Sequence, residues 1–109
     1  MADISLQDYI DKLDTLLEQN GYNEVVYHAR HIINRFPKNL AAFRLLGRSL
    51  MLETRWEEAG EVLQRVLSVQ PDDANVHNWL AQVYQRIKQP ERVIWHLERV
   101  FDHEPNDTT

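Results

Sequence analysis

Few side chains in this sequence have the type and spacing that chemistry requires. His28 and His31 stand one helical turn apart and, with Glu24 as a third ligand, could seed a metal site. Two imidazoles do not make one, and His77, His96 and His103 are scattered, so surface or boundary histidines are the simpler reading. The chain has no cysteine, which removes thiolate zinc sites, thiol nucleophiles and disulfides together. Gly21, Gly47 and Gly60 are too far apart to form a phosphate-cradling loop, and no nucleophile is set beside a base. Catalysis, cofactor and metal are therefore not expected. Arg44 and Arg48 are the exception. One turn apart on one helix face, their guanidinium groups can receive a carboxylate through charge-assisted hydrogen bonds. The bland alternative is that they pair with Asp11, Asp14 or Glu18 at the surface, each pair worth about 0.2 to 1 kcal/mol.

The elements that must hold these groups follow from composition and period. With 43% hydrophobic residues in 109, and only 3 glycines and 4 prolines, the chain has material for one helical core and little punctuation for an all-β or disordered one. Seventeen acidic against twelve basic residues give a net charge of -5, which disfavours DNA and RNA as partners, including a helical-repeat mode of RNA reading that needs a basic face. No apolar run is long enough to span a membrane, and the amino terminus lacks the basic and apolar segments of a signal peptide. A cytoplasmic protein without membrane contact is expected. Asn106-Asp107-Thr108 matches a glycosylation acceptor but carries no weight without a secretory signal.

Pro37, Pro71 and Pro105 recur every 34 residues, and two places after each comes a helix-capping type, Asn39, Asp73 and Asp107; Ser5 extends the series backwards. The period divides the chain into units 6–39, 40–73 and 74–107. Each unit holds two blocks with helical spacing, such as Phe43, Leu46, Leu50 and then Ala59, Leu63, Val66. The predicted breaks are Asn20-Gly21, with Gly21 supplying a left-handed helix end, and Lys88-Gln89-Pro90, with Pro90 opening a helix. At Glu53-Thr54-Arg55 only periodicity marks the turn.

These units resemble the tetratricopeptide repeat: Phe43-x2-Leu46-Gly47-x2-Leu50, Ala59-x3-Leu63 and Pro71 in the second, and His77-x2-Leu80-Ala81-x2-Tyr84, Val93-x3-Leu97 and Pro105 in the third. The first places Leu13 where a small residue is usual and Ala29 where a large one is, which suggests a compensating exchange of size. The resemblance implies an all-α fold, a right-handed α-solenoid of three stacked antiparallel helix hairpins. Gly47, Ala59 and Ala81 would let helices approach, while Phe43, Leu46, Leu50, Leu63 and Leu97 fill the space between hairpins.

It also implies a function, a non-catalytic scaffold whose first helices line a concave groove for a partner peptide or helix. Helical spacing assigns that lining to Ile10, Asp14, Leu17, Arg44, Arg48, Met51, Asn78, Trp79, Gln82 and Arg86. The arginines suggest an acidic peptide and Trp79 a flat anchor. Chaperone-binding members hold a terminal carboxylate at groove positions that are Ile10, Asp14, Leu45, Asn75 and Trp79 here, none of them cationic, so that clamp is absent.

Repeat arrays usually close with a polar-faced cap, and Asp107 would begin a helix that has no room before Thr109. The alternative expectation is the amino-terminal part of a longer repeat protein, stacked on further repeats or on a second chain as a homo-oligomer through the C-terminal end. Val76, Val83, Ile87, Ile94 and Phe101 are expected to form that end face, because they replace smaller or polar residues of the second unit.

Overall fold

Proline and the residue two places after it build the joint between hairpins. In the computed structural model, which describes residues 4–103, Phe36-Pro37-Lys38-Asn39 and Gln70-Pro71-Asp72-Asp73 are turns. They close through Asn39 N–H to the Phe36 carbonyl (3.0 Å) and Asp73 N–H to the Gln70 carbonyl (3.2 Å), with proline where its fixed φ is favoured. The Asn39 and Asp73 side chains then accept from the N–H groups of Ala42 (2.8 Å) and Val76 (3.2 Å), capping the next helix. Ser5 does the same for Asp8 N–H at 3.0 Å. Pro105 and Asp107 lie outside the described residues.

Among the described residues six helices result: α1 (Leu6–Glu18), α2 (Tyr22–Arg35), α3 (Leu40–Leu52), α4 (Trp56–Val69), α5 (Ala74–Arg86) and α6 (Pro90–His103). Pro90 opens α6 as expected, where its missing N–H costs nothing. Each odd helix pairs with the even helix that follows it, α2 packs on α3 and α4 on α5, and α1, α3 and α5 adjoin along one side. The outcome is the expected α-solenoid of three stacked hairpins, elongated at 53 × 30 × 26 Å.

Within each hairpin the chain turns by one device, repeated at 34-residue intervals. Asn20, Thr54 and Lys88 take left-handed φ values of 68°, 63° and 64°. The next N–H, of Gly21, Arg55 or Gln89, reaches back to the carbonyl of Leu16, Leu50 or Tyr84 at 2.9 Å, which satisfies a helix-end acceptor that would otherwise be orphaned. The left-handed residue is thus Asn20, and the expectation for Gly21 is corrected. Gly21 has φ -83° and precedes α2. A Cβ there would come 2.7 Å from Leu16 Cδ1, so that side chain would have to shift.

Packing within each hairpin explains the size pattern. A Cβ on Gly47 would lie 2.5 Å from Leu63 Cδ2, so α3 and α4 approach as closely as they do because one residue is glycine. In the first hairpin the equivalent pair is Leu13 and Ala29, both buried, so the large residue has moved to the partner helix. Leu97 departs from its expected filling role: it is 43% exposed while its counterpart Leu63 is fully buried. Leu63 has α5 beyond it, and among the described residues nothing lies beyond α6.

Candidate functional site

The odd helices, side by side, enclose a pocket of about 340 Å³. Ile10, Asp14 and Leu17 of α1 form one wall, Ala41, Arg44, Leu45 and Arg48 of α3 the floor, and Trp79 of α5 the other wall. Spacing at i, i+3, i+4 and i+7 places α1 and α3 residues on one stripe, and register places Trp79 beside them. Groove positions read from the sequence therefore converge for Ile10, Asp14, Leu17, Arg44, Arg48 and Trp79.

The other four do not line the pocket. Met51 is buried, its sulfur 3.7 Å from Arg48 Nη1. Asn78 and Gln82 are exposed on α5 but point outside the pocket lining. Arg86 lies over the ring of Trp56, its guanidinium carbon 5.4 Å from the centroid, and so is drawn toward α4 instead of joining the other arginines.

Trp79 organises the two remaining arginines. The Arg48 guanidinium carbon is 5.2 Å from the indole centroid and that of Arg44 5.9 Å, both in cation–π range. Arg44 has a second obligation. Its Nε lies 3.4 Å from Asp73 Oδ2, in ion-pair range though out of line for a hydrogen bond. Asp73 thus caps α5 with one oxygen and holds Arg44 with the other. Arg48 makes no ion pair among the described residues. Opposite, the Asp14 carboxyl is pushed above the usual carboxylate range by burial and by Asp11 and Glu18, against a smaller opposing pull from Arg44.

The five expected end-face residues divide. Ile94 (57% exposed) and Phe101 (77%) are open and, with Leu97, Glu98, Arg99 and Asp102, line a shallow hollow of about 530 Å³ on α6. Val76 and Val83 are fully buried and Ile87 packs against the core, so none of the three is available at the end. The reason is directional. First-helix positions face the preceding hairpin, as shown by Val83 Cγ1 lying 3.5 Å from where a Gly60 Cβ would stand, and only second-helix positions face forward.

Among the described residues no cluster of three metal-ligating side chains forms. Instead, His28 Nδ1 is 2.6 Å from the Tyr9 hydroxyl, and in the same register of the third hairpin His77 and His96 meet, both buried. The unexploited signal was that Tyr9 with His28 and His77 with His96 are 19 residues apart at equivalent repeat positions, where the second hairpin has Phe43 and Val62.

Residues 16–83 match the tetratricopeptide repeat family. No curated protein matches the chain. Among solved structures, one MamA mutant superposes with a TM-score of 0.84 over 96% of this chain and 77% of its own, at 19% identity. A second MamA mutant gives 0.79 over 88% and 53% at 20% identity, and MamA of AMB-1 gives 0.78 over 84% and 54% at 21%. This chain spans about half the length of the latter two, and the likeness to all three is one of fold. Helix pairs restarting every 34 residues, the same turn in each, and a family match over more than half the chain lead to one conclusion: this chain belongs to the tetratricopeptide repeat family.

Proposed function

We propose that the chain is a non-catalytic scaffold that receives a segment of a partner protein in the groove between α1, α3 and α5. Repeats of this family serve protein–protein interaction in general, and the observation that carries the specific reading is Arg48. Its guanidinium lies on the face of Trp79, in a pocket with apolar neighbours Ile10, Leu17 and Leu45, without a carboxylate in ion-pair range among the described residues. A cation already oriented by an aromatic ring loses little freedom when a partner's carboxylate arrives, and the apolar lining raises the strength of that contact. Trp79 supplies the flat anchor that interfaces concentrate energy upon.

The test is selection of peptides from a random display library on the immobilised chain, followed by affinity measurement with a synthetic copy of the best binder. Trp79→Ala should weaken it about thirtyfold, the effect of losing one anchor of about 2 kcal/mol, with helicity unchanged by circular dichroism. Binders indifferent to Trp79→Ala would overturn the reading.

A second reading has its own observation. Ile94, Leu97 and Phe101 occupy on α6 the face that α4 buries beneath α5, and they are exposed. Stacking of a further hairpin or a second copy on this face would cover them. Sedimentation of the chain across a range of concentrations tests the copy: association lost in Leu97→Gln/Phe101→Ser supports it, and a monomer at every concentration ends it.

A further inference from the structure

The groove's two sides carry opposite charge. Asp14 of α1 lines the groove against Arg44 and Arg48 of α3, and Asp11 and Glu18, exposed on the same helix, add their negative charge near it. The walls do not neutralise one another. Arg44 is engaged by Asp73 of the α5 cap, and Arg48 by the Trp79 ring and the Met51 sulfur. None of the three α1 carboxylates reaches a cation within ion-pair distance among the described residues, although Lys12 stands on the same helix; Asp11 receives only the neutral Gln7 amide, at 2.8 Å.

This has a consequence for what can lie there. A wholly acidic segment seated on Arg48 would run beside Asp14 with Asp11 and Glu18 close behind it, and like charges brought together repel. The Asp14 carboxyl is raised first by burial and then by Asp11 and Glu18, and these together outweigh the pull of Arg44.

We propose that the groove selects a dipolar protein segment, one that sets a carboxylate on Arg48 against Trp79 and a lysine or arginine against Asp14. The proposal rests on the groove reading above and narrows its partner, since the arginines considered by themselves suggest an acidic one. Adjoining helices lie about 8–10 Å apart, so in a partner extended as polyproline II, where every third side chain returns to the same face, the two charges stand about three residues from each other.

The same display selection, with random twelve-residue peptides, is run on the wild-type chain, on Asp14→Asn and on Arg48→Gln. Wild-type chain should enrich peptides carrying an acid and a base about three residues apart. Asp14→Asn should release the requirement for the base, and Arg48→Gln the requirement for the acid. For a synthetic copy of one enriched peptide, replacing its base by glutamine should weaken binding about threefold to fivefold on the wild-type chain and less than about 1.5-fold on Asp14→Asn, the scale of one partly exposed ion pair. Enrichment of acid-only peptides on the wild-type chain, unchanged by Asp14→Asn, overturns the dipolar proposal and leaves the groove reading standing. Enriched peptides indifferent to both Arg48→Gln and Trp79→Ala overturn the groove reading as well.

Discussion

His77 Nδ1 and His96 Nδ1 lie 2.9 Å apart inside the third hairpin, and His77 Nε2 lies 2.6 Å from the Pro71 carbonyl. The carbonyl can only accept, so His77 donates to it from Nε2–H, and the second contact joins the two Nδ1 atoms, one donating and the other accepting. The pair ties α5, α6 and the turn before α5 through its two imidazoles. His96 is also stacked on Tyr84, with ring centroids 5.5 Å apart.

Acid should loosen this hairpin. Burial, with His77, Arg92 and Arg99 nearby, pushes the His96 imidazole from 6.5 down to about 4. Below 6.5 the unfolded chain takes up a proton that folded His96 refuses, so its contribution to stability is complete above that pH and declines as pH falls toward 4. The decline between pH 7 and pH 5 is about 2 kcal/mol. His77→Phe/His96→Val, which copies the apolar pair Phe43 and Val62 from the second hairpin, should remove that increment. Urea unfolding at both pH values measures it; an equal pH dependence in the double variant would refute the assignment.

The size exchange between the first two hairpins makes a second prediction. Gly47→Leu should cost at least about 1–3 kcal/mol through collision with Leu63, and Leu63→Ala about 2–5 kcal/mol through the cavity it leaves. Together they recreate the Leu13 and Ala29 arrangement and should cost less than their sum by more than about 1 kcal/mol. Additive penalties in thermal or urea unfolding would show that the two hairpins do not share one packing scheme.

Thr54 is a β-branched residue held at φ 63°, where asparagine or glycine sits with less strain. Thr54→Gly should stabilise the chain by roughly 0.5–1 kcal/mol after the added freedom of the unfolded state is deducted. The melting temperature should rise by a few degrees; a fall would mean that the threonine side chain has a compensating role.

Much of the fold is legible in the sequence because its joints are local. Proline, its turn and the capping side chain act within a few residues, so Pro37 with Asn39 and Pro71 with Asp73 announce their helices without tertiary knowledge. The turn at Thr54 is less visible, because its left-handed residue is one that rarely adopts that conformation. Groove residues on α1 and α3 follow from helical spacing. Arg86 escapes the same logic because a long side chain can reach a ring on a neighbouring helix, and Trp56 attracts it. Val76 and Val83 mislead because enlargement alone does not say which neighbour a helix face meets. The buried histidines require comparing repeats with each other, since neither residue looks unusual in its own helix.

The central claim is that partners enter between α1, α3 and α5. Titrating the ¹⁵N-labelled chain with a selected peptide and following backbone amide shifts tests it most directly. The largest changes should fall on Ile10, Asp14, Leu17, Arg44, Arg48 and Trp79. Changes centred instead on Ile94, Leu97 and Phe101 of α6, with those six unmoved, would contradict it.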